Sequence, residues 1–332
     1  MEKRNSSIEL LRLVCLFGIV MLHTFAPFYS NATGVNLVYG VFINSVFNTG
    51  VTIFMLISGF FGLYLKKEKL VRLYIEVLMY SVFSTLISCF LSNNWTVKIF
   101  IKALMPITTN QYWFLTVYFL ILLFSKYINL IPQILSKDDF KKLIGLMIII
   151  FSILPTITQF HIMNDGGKGF ANMLLAYYIG RYINLYVKLP YIKINKLKLF
   201  LIALFSFTFF VNLFLSILYG GMGVIAPLAL DSSITILLSS IFIFILFLKF
   251  KLDSNIINSI ATHALAIYLF ESPVRNTILF FIKVSLHDGS WILSIYILIL
   301  SFIVTSLCVF VDIFISIFYK YLSNKICDLC KC

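Results

Sequence analysis

Apolar runs of about 20 residues recur along nearly the whole chain, each long enough to cross the ~30 Å hydrocarbon core of a bilayer as a helix. Within hydrocarbon every backbone N–H and C=O must find a partner inside its own segment, so a chain built from such runs is expected to form a helical bundle. The runs fall near residues 8–29, 41–64, 72–91, 113–131, 143–160, 170–187, 198–218, 234–249, 258–282 and 291–319, about ten helices by hydropathy. Composition agrees: of 332 residues, 61% are hydrophobic and only 12% charged, a balance that would aggregate a soluble domain of this size. The expected fold class is an all-α polytopic membrane protein, one domain over residues 1–332. No repeat or linker interrupts it, and the longest expected inner loop, from Ser125 to Leu143, is too short to fold alone.

Orientation follows from the basic residues, because cytoplasmic loops retain Lys and Arg. With both termini inside, Lys3, Arg4, Lys66, Lys67, Lys69, Arg72, Lys126, Lys137, Lys141, Lys142, Arg181, Lys188, Lys193, Lys196, Lys198, Lys249, Lys251, Lys320, Lys325 and Lys331 fall on the cytoplasmic side. Only Lys98, Lys102, Lys168 and Lys283 fall outside, a split of about 20 to 4. The net charge of +13 therefore reads as inner-leaflet anchoring. Basic residues dispersed over separate short loops do not make a nucleic-acid surface. The first run has no small-residue cleavage site and is expected to be retained.

That first run also holds an arginine and a histidine, Arg12 and His23. Ionisable groups within a span are expensive, and each marks a functional-site candidate. The ~11-residue step between them lies within roughly 20° of three whole helical turns, so both project from one face, about 16 Å apart. Glu9 shares the stripe one turn before Arg12, as an ion-pair partner. A single polar seam lining one cavity is expected. In the ninth run Glu271 and Arg275 stand one turn apart around Pro273, which removes a helix hydrogen bond and is tolerated where protein or a wet cavity covers the break. By rise counting His23 and Glu271 both lie roughly 20 Å from the inner face and are within reach of each other. A carboxylate beside an imidazole fixes its tautomer and raises its basicity, as a general base requires. The competing reading is two independent ion pairs, Glu9 with Arg12 and Glu271 with Arg275, that only hold helices together.

The other candidates carry less. His161, His263 and His287 have no partners at metal spacing, and no metal is expected. Cys15, Cys89 and Cys308 sit in apolar runs as small hydrophobes. The tail thiols Cys327, Cys330 and Cys332 lack a fourth ligand for zinc. Asp312 and Glu76 read as structural charges. Tyr112 and Trp113 open the fourth run, as belt anchors or as a sugar-stacking platform.

At these residues the chain resembles acyltransferase family 3. The run Ser6-Ser7-Ile8-Glu9-Leu10-Leu11-Arg12 followed by His23 looks like the family's opening helix. Phe54-Met55-Leu56-Ile57-Ser58-Gly59-Phe60-Phe61 resembles its Phe-rich Ser-Gly segment, Tyr112-Trp113-Phe114 its Trp-Phe segment, and Ile267-Tyr268-Leu269 leading to Glu271 and Pro273 its late Tyr-Leu-Ile segment. Two positions depart from the pattern. Of the arginine pair that opens helix three in the family, Arg72 matches the second, while Glu68, flanked by Lys67 and Lys69, stands at the first. The histidine that many relatives carry after Tyr-Leu-Ile is absent, and Phe270-Glu271 stands there.

The resemblance implies an enzyme that moves an acyl group, usually acetyl, from cytoplasmic acetyl-CoA to a hydroxyl of an envelope polysaccharide or lipid-linked saccharide. It implies His23 as the base, with Arg12 binding the donor or holding the site. Coenzyme A phosphates need cations at the inner face, which Lys69 and Arg72 supply. Glu271 joins the catalytic group, and Trp113, Tyr112 and Arg275 are expected at the acceptor. An Ile-, Phe-, Lys- and Asn-rich composition points to an AT-rich bacterial source, hence the bacterial plasma membrane. Two other classes stay open. A flippase for a lipid-linked oligosaccharide predicts paired half-repeats, which the sequence does not show, and a non-catalytic scaffold keeps the fold without the chemistry.

Overall fold

The computed structural model describes residues 4–160, 163–219, 223–282 and 291–330. Along the chain run α1 (Ser6–Phe25), α2 (Gly34–Phe47), α3 (Thr49–Phe61), α4 (Lys67–Ser92), α5 (Val97–Leu104), α6 (Trp113–Leu123), α7 (Ser125–Ile128), α8 (Ile131–Ile134), α9 (Lys137–Ile148), α10 (Leu154–Thr158), α11 (Phe170–Tyr186), α12 (Ile194–Leu218), α13 (Ile234–Lys249), α14 (Asn255–Ile260), α15 (Ala264–Phe281) and α16 (Ile292–Cys330). No strand occurs among the described residues. His161, His287, Lys3, Lys283, Lys331 and Cys332, and the side chains of Lys320, Cys327 and Cys330, lie outside the description.

Among the described residues, seven segments are long and apolar enough to cross a membrane: Ser6–Asn31, Gly34–Phe61, Lys67–Ser92, Lys137–Thr158, Ile194–Leu218, Pro227–Lys249 and Ile292–Tyr319. An eighth is gained if α6 and the α7–α8 segment, bent by 66°, count as one. The sequence gives about ten, so the difference needs a cause. Helix α11 stops at 17 residues, and α15 carries Glu271, Arg275 and Pro273. The bend after α6 has a polar origin: Asn129 donates to the Leu63 carbonyl at 2.8 Å and accepts from the Tyr177 hydroxyl at 2.7 Å. An apolar count is blind to that pull.

The protein is a multi-pass membrane protein, and α12 shows why its surface is built for lipid. Leu199, Phe200, Ile202, Phe207, Phe210 and Phe214 are exposed on it, whereas Thr208, Asn212 and Ser216 are buried. Asn212 and Ser216 accept the backbone N–H groups of Leu228 and Ile225 at 3.1 and 2.9 Å. Apolar groups outward and polar groups inward is the arrangement that hydrocarbon as solvent imposes.

Helix α1 is the centre, packing against α2, α3, α13, α14, α15 and α16. Asn5 caps it, accepting from the Ser7 and Ile8 amides at 3.1 and 3.3 Å, which satisfies two orphan donors of the first turn. Ser6 accepts from the Ser254 amide at 3.1 Å, and Ser7 donates to the Phe250 carbonyl at 2.5 Å. These two hydroxyls tie the start of α1 to the α13–α14 connection, which sets the helix's depth. Helices α3 and α11 touch backbone to backbone: a Cβ on Gly59 would stand 2.0 Å from the Tyr177 oxygen, and one on Gly180 2.2 Å from that of Leu56. Small residues permit such close approach.

Candidate functional site

His23 lies in the last turn of α1. Its Nδ1 stands 2.8 Å from Glu271 Oε1 on α15. The other carboxylate oxygen, Oε2, accepts a hydrogen bond from the Arg275 guanidinium, whose second nitrogen reaches Ser272 Oγ at 3.4 Å. Thus Glu271, itself 5% exposed, bridges the imidazole and the arginine. The two readings left open above are both partly realised, since Glu271 makes its ion pair and also holds His23. The histidine side chain keeps 47% exposure, and that exposure opens onto cavities.

A chamber of about 360 Å³ has His23, Glu271, Tyr112, Trp113, Ser84 and Gln111 in its wall. Leu269 and Pro273 border it too, so the helix turn disrupted by the proline faces a polar space, as its missing N–H requires. Helix α15 continues through Pro273, with the Thr277 hydroxyl donating to the Pro273 carbonyl at 2.7 Å. A second chamber, about 460 Å³, shares His23 and Trp113 with the first and adds Asp165, Lys168 and Asp231. A third cavity of about 270 Å³ is mostly apolar, lined by Arg12, Phe54, Ser58, Leu73, Tyr118 and Tyr268 among others.

Arg12 and His23 therefore do not line one seam. Arg12 is paired to Glu9 at 3.3 Å and borders the apolar cavity, while His23 borders the other two chambers. The face they share is real, but Tyr268 and Ile19 stand where the spaces adjoin: Tyr268 is common to the Arg12 cavity and the first chamber, Ile19 to the Arg12 cavity and the second. The helical repeat fixes direction and not what packs between. Lys69 and Arg72 are exposed at the start of α4, and Leu73, the next residue, already lines the Arg12 cavity. Tyr112 and Trp113 are half-buried in chamber walls. Arg275, expected at the acceptor, is 12% exposed and stands behind Glu271 as its partner, outside the chamber linings.

Sequence reasoning missed two features. His263, ranked low, stands with Nδ1 2.6 Å from Asp312 Oδ2, and Tyr80 donates to Oδ1 at 2.5 Å, so α16, α4 and the turn before α15 meet at a carboxylate that is 1% exposed. Only the depth of Asp312 in an apolar run signalled it. Its replacement by alanine is expected to cost about 3–5 kcal/mol, because His263 and Tyr80 lose their partner; thermal unfolding in detergent checks this, and an unshifted midpoint would contradict it. The second miss is the polar stripe Ser84, Ser88 and Ser92, which lines the first chamber and whose four-residue spacing was readable along one helix face.

The comparisons with known proteins bear on this geometry. A family model described as an acyltransferase domain, that of acyltransferase family 3, matches residues 5–312, a stretch that takes in α1, all three cavities and Asp312. No curated protein and no solved structure matches the chain. With a match over nearly its whole length, the chain belongs to acyltransferase family 3, membrane enzymes that transfer acyl groups.

Proposed function

We propose that the protein is an O-acyltransferase that takes acetyl from acetyl-CoA on the cytoplasmic side and gives it to a hydroxyl of a cell-envelope polysaccharide or lipid-linked saccharide, in a bacterial plasma membrane. The observation that carries this reading is His23, held at Nδ1 by Glu271 2.8 Å away and bordering two chambers at once. With Nδ1–H donated to the carboxylate, the Nε2 lone pair is the free one, and it belongs to the group that takes a proton. Nε2 accepts the proton of the acceptor hydroxyl as its oxygen forms a C–O bond to the thioester carbonyl carbon. The C–S bond then breaks, and the departing coenzyme A thiolate recovers that proton from His23.

Donor placement follows the charges. Lys69 and Arg72 suit the phosphates, and the apolar cavity past Leu73 to Tyr268 suits the uncharged pantetheine arm, bringing the thioester toward His23. Arg12 lines that passage and acts on the donor. Glu271 and Arg275 position the imidazole. Trp113, which borders both chambers, offers an aromatic face to a sugar.

Mass spectrometry of envelope glycan from cells with and without the protein tests the reading. The expected result is one acetyl group per modified sugar, present only when the protein is. Unchanged acetylation with lost saccharide export would replace it with the flippase.

A further inference from the structure

The two chambers that share His23 and Trp113 differ in charge. Beside Glu271, the first presents neutral groups such as Ser84, Thr85 and Gln111. The second holds two carboxylates and one ammonium, Asp165, Asp231 and Lys168. Most of its polar wall is already committed to the protein. Asn44 donates to the Tyr29 hydroxyl at 2.9 Å and the Gly40 carbonyl at 2.8 Å; Asn48 donates to Asn44 Oδ1 at 3.0 Å and the Ala229 carbonyl at 2.7 Å. Asp165 accepts from the Gly167 amide at 2.8 Å, and the Lys168 ammonium sits 5.7 Å from the centre of the Trp113 ring.

Asp231 is different. Half-buried in this wall, it makes no hydrogen bond or ion pair with another described residue. Its position is nonetheless fixed by the backbone: a Cβ on Gly167, at φ +86, would stand 2.2 Å from the Ser232 nitrogen, so the 163–169 loop is clasped against the Asp231-Ser232 turn. A carboxylate withdrawn from bulk water and left without protein donors is costly unless donors come from the space it faces. A sugar, with several hydroxyl donors per ring, supplies them when bound.

Resting on the acyl-transfer reading of His23, we infer that the Asp165–Lys168–Asp231 chamber is the acceptor subsite and that Asp231 is its specificity-determining residue. It accepts hydrogen bonds from hydroxyls of an uncharged saccharide, with Trp113 at the border to His23. With two acidic groups against one ammonium, the wall has no cationic surplus to hold a uronic or phosphorylated residue, so the acetylated sugar is a neutral one. The chamber's volume, about 460 Å³, is in the range of small-ligand sites.

The experiment uses membranes carrying the full chain, radiolabelled acetyl-CoA as donor, and envelope glycan from a strain lacking the protein as acceptor. Asp231→Asn is expected to lower transfer by about 10- to 100-fold, the worth of about one hydrogen bond to a charged group, while the affinity for coenzyme A, measured by calorimetry in detergent, stays within about twofold. Asp231→Glu, which keeps the acceptor oxygens, is expected to recover part of the loss, and it serves as the reading if the asparagine variant does not reach the membrane. The transferred label is expected on an uncharged sugar. Full transfer in Asp231→Asn, loss of coenzyme A affinity in step with transfer, or label on an acidic sugar each overturns the inference. His23→Ala, run alongside, separates the two levels: if it stays active, the acyl-transfer reading of His23 has failed, whereas an inactive His23→Ala with a fully active Asp231→Asn removes only the acceptor assignment.

Discussion

Alanine at His23 is expected to leave the protein inserted in the membrane and to lower acyl transfer by about a thousandfold or more, within the range that loss of a positioned general base produces. The fold has little at stake there. The side chain is 47% exposed, and Glu271 keeps its Arg275 partner when the imidazole is gone, so no buried charge is stranded. Transfer of labelled acetyl to envelope glycan, normalised to the amount of protein in the membrane, reads the loss; a variant retaining a tenth of wild-type transfer would remove His23 from the chemistry. Glu271→Gln is the less clean probe. The amide no longer fixes the tautomer, and it also leaves the Arg275 guanidinium, 12% exposed, without its counter-charge. Rate and stability therefore fall together in that variant and separately in His23→Ala.

Gly59→Leu has the largest expected effect on the fold. The Cβ it introduces meets the Tyr177 carbonyl oxygen at 2.0 Å, and that atom belongs to a helix backbone, so no side-chain rotation relieves the clash. Helix α11 is also anchored, the Tyr177 hydroxyl donating to Asn129 and accepting from the Leu63 amide at 2.7 and 3.0 Å. The helices must part, and Met55, Leu56 and Tyr177, all fully buried, lose their packing. A cost of about 4 kcal/mol or more follows, in the class that single substitutions reach only by a definite structural insult. Thermal unfolding in detergent and yield in the membrane measure it. Gly145→Ala is the control: nothing lies within 4 Å of its Cβ, and on an exposed helix face the change is expected to be neutral or slightly stabilising.

Local chemistry made part of the site legible. Arg12 and His23 stood out because charge inside an apolar run is expensive, and Glu271 because its depth could be counted by helical rise. The meeting of His23 with Glu271 joins residues 248 positions apart, and rise counting alone supplied a matched height without a matched azimuth. Asp312 read as a structural charge, which its buried contacts fit, but its partners His263 and Tyr80 were not legible, because they lie on other elements 49 and 232 positions away. Lys168 counted only as an outer-loop charge and Asp231 carried no signal in the sequence; both acquire meaning where the 163–169 loop closes on the second chamber. Gly59 came from the resemblance, but its necessity is visible only in the α3–α11 contact.

By itself the sequence determined the solvent and the class of fold: a chain 61% hydrophobic with apolar runs of about 20 residues must satisfy its backbone in helices across a bilayer. It also determined which side chains were too costly to be there without a task. The tertiary structure decided which of those side chains meet, since a lateral contact between helices depends on rotation, tilt and bends such as the 66° break after α6. Hydropathy measures how much a segment prefers lipid and carries no information on which neighbour it faces. That is why the bundle was readable in one dimension while the two chambers around His23 were not.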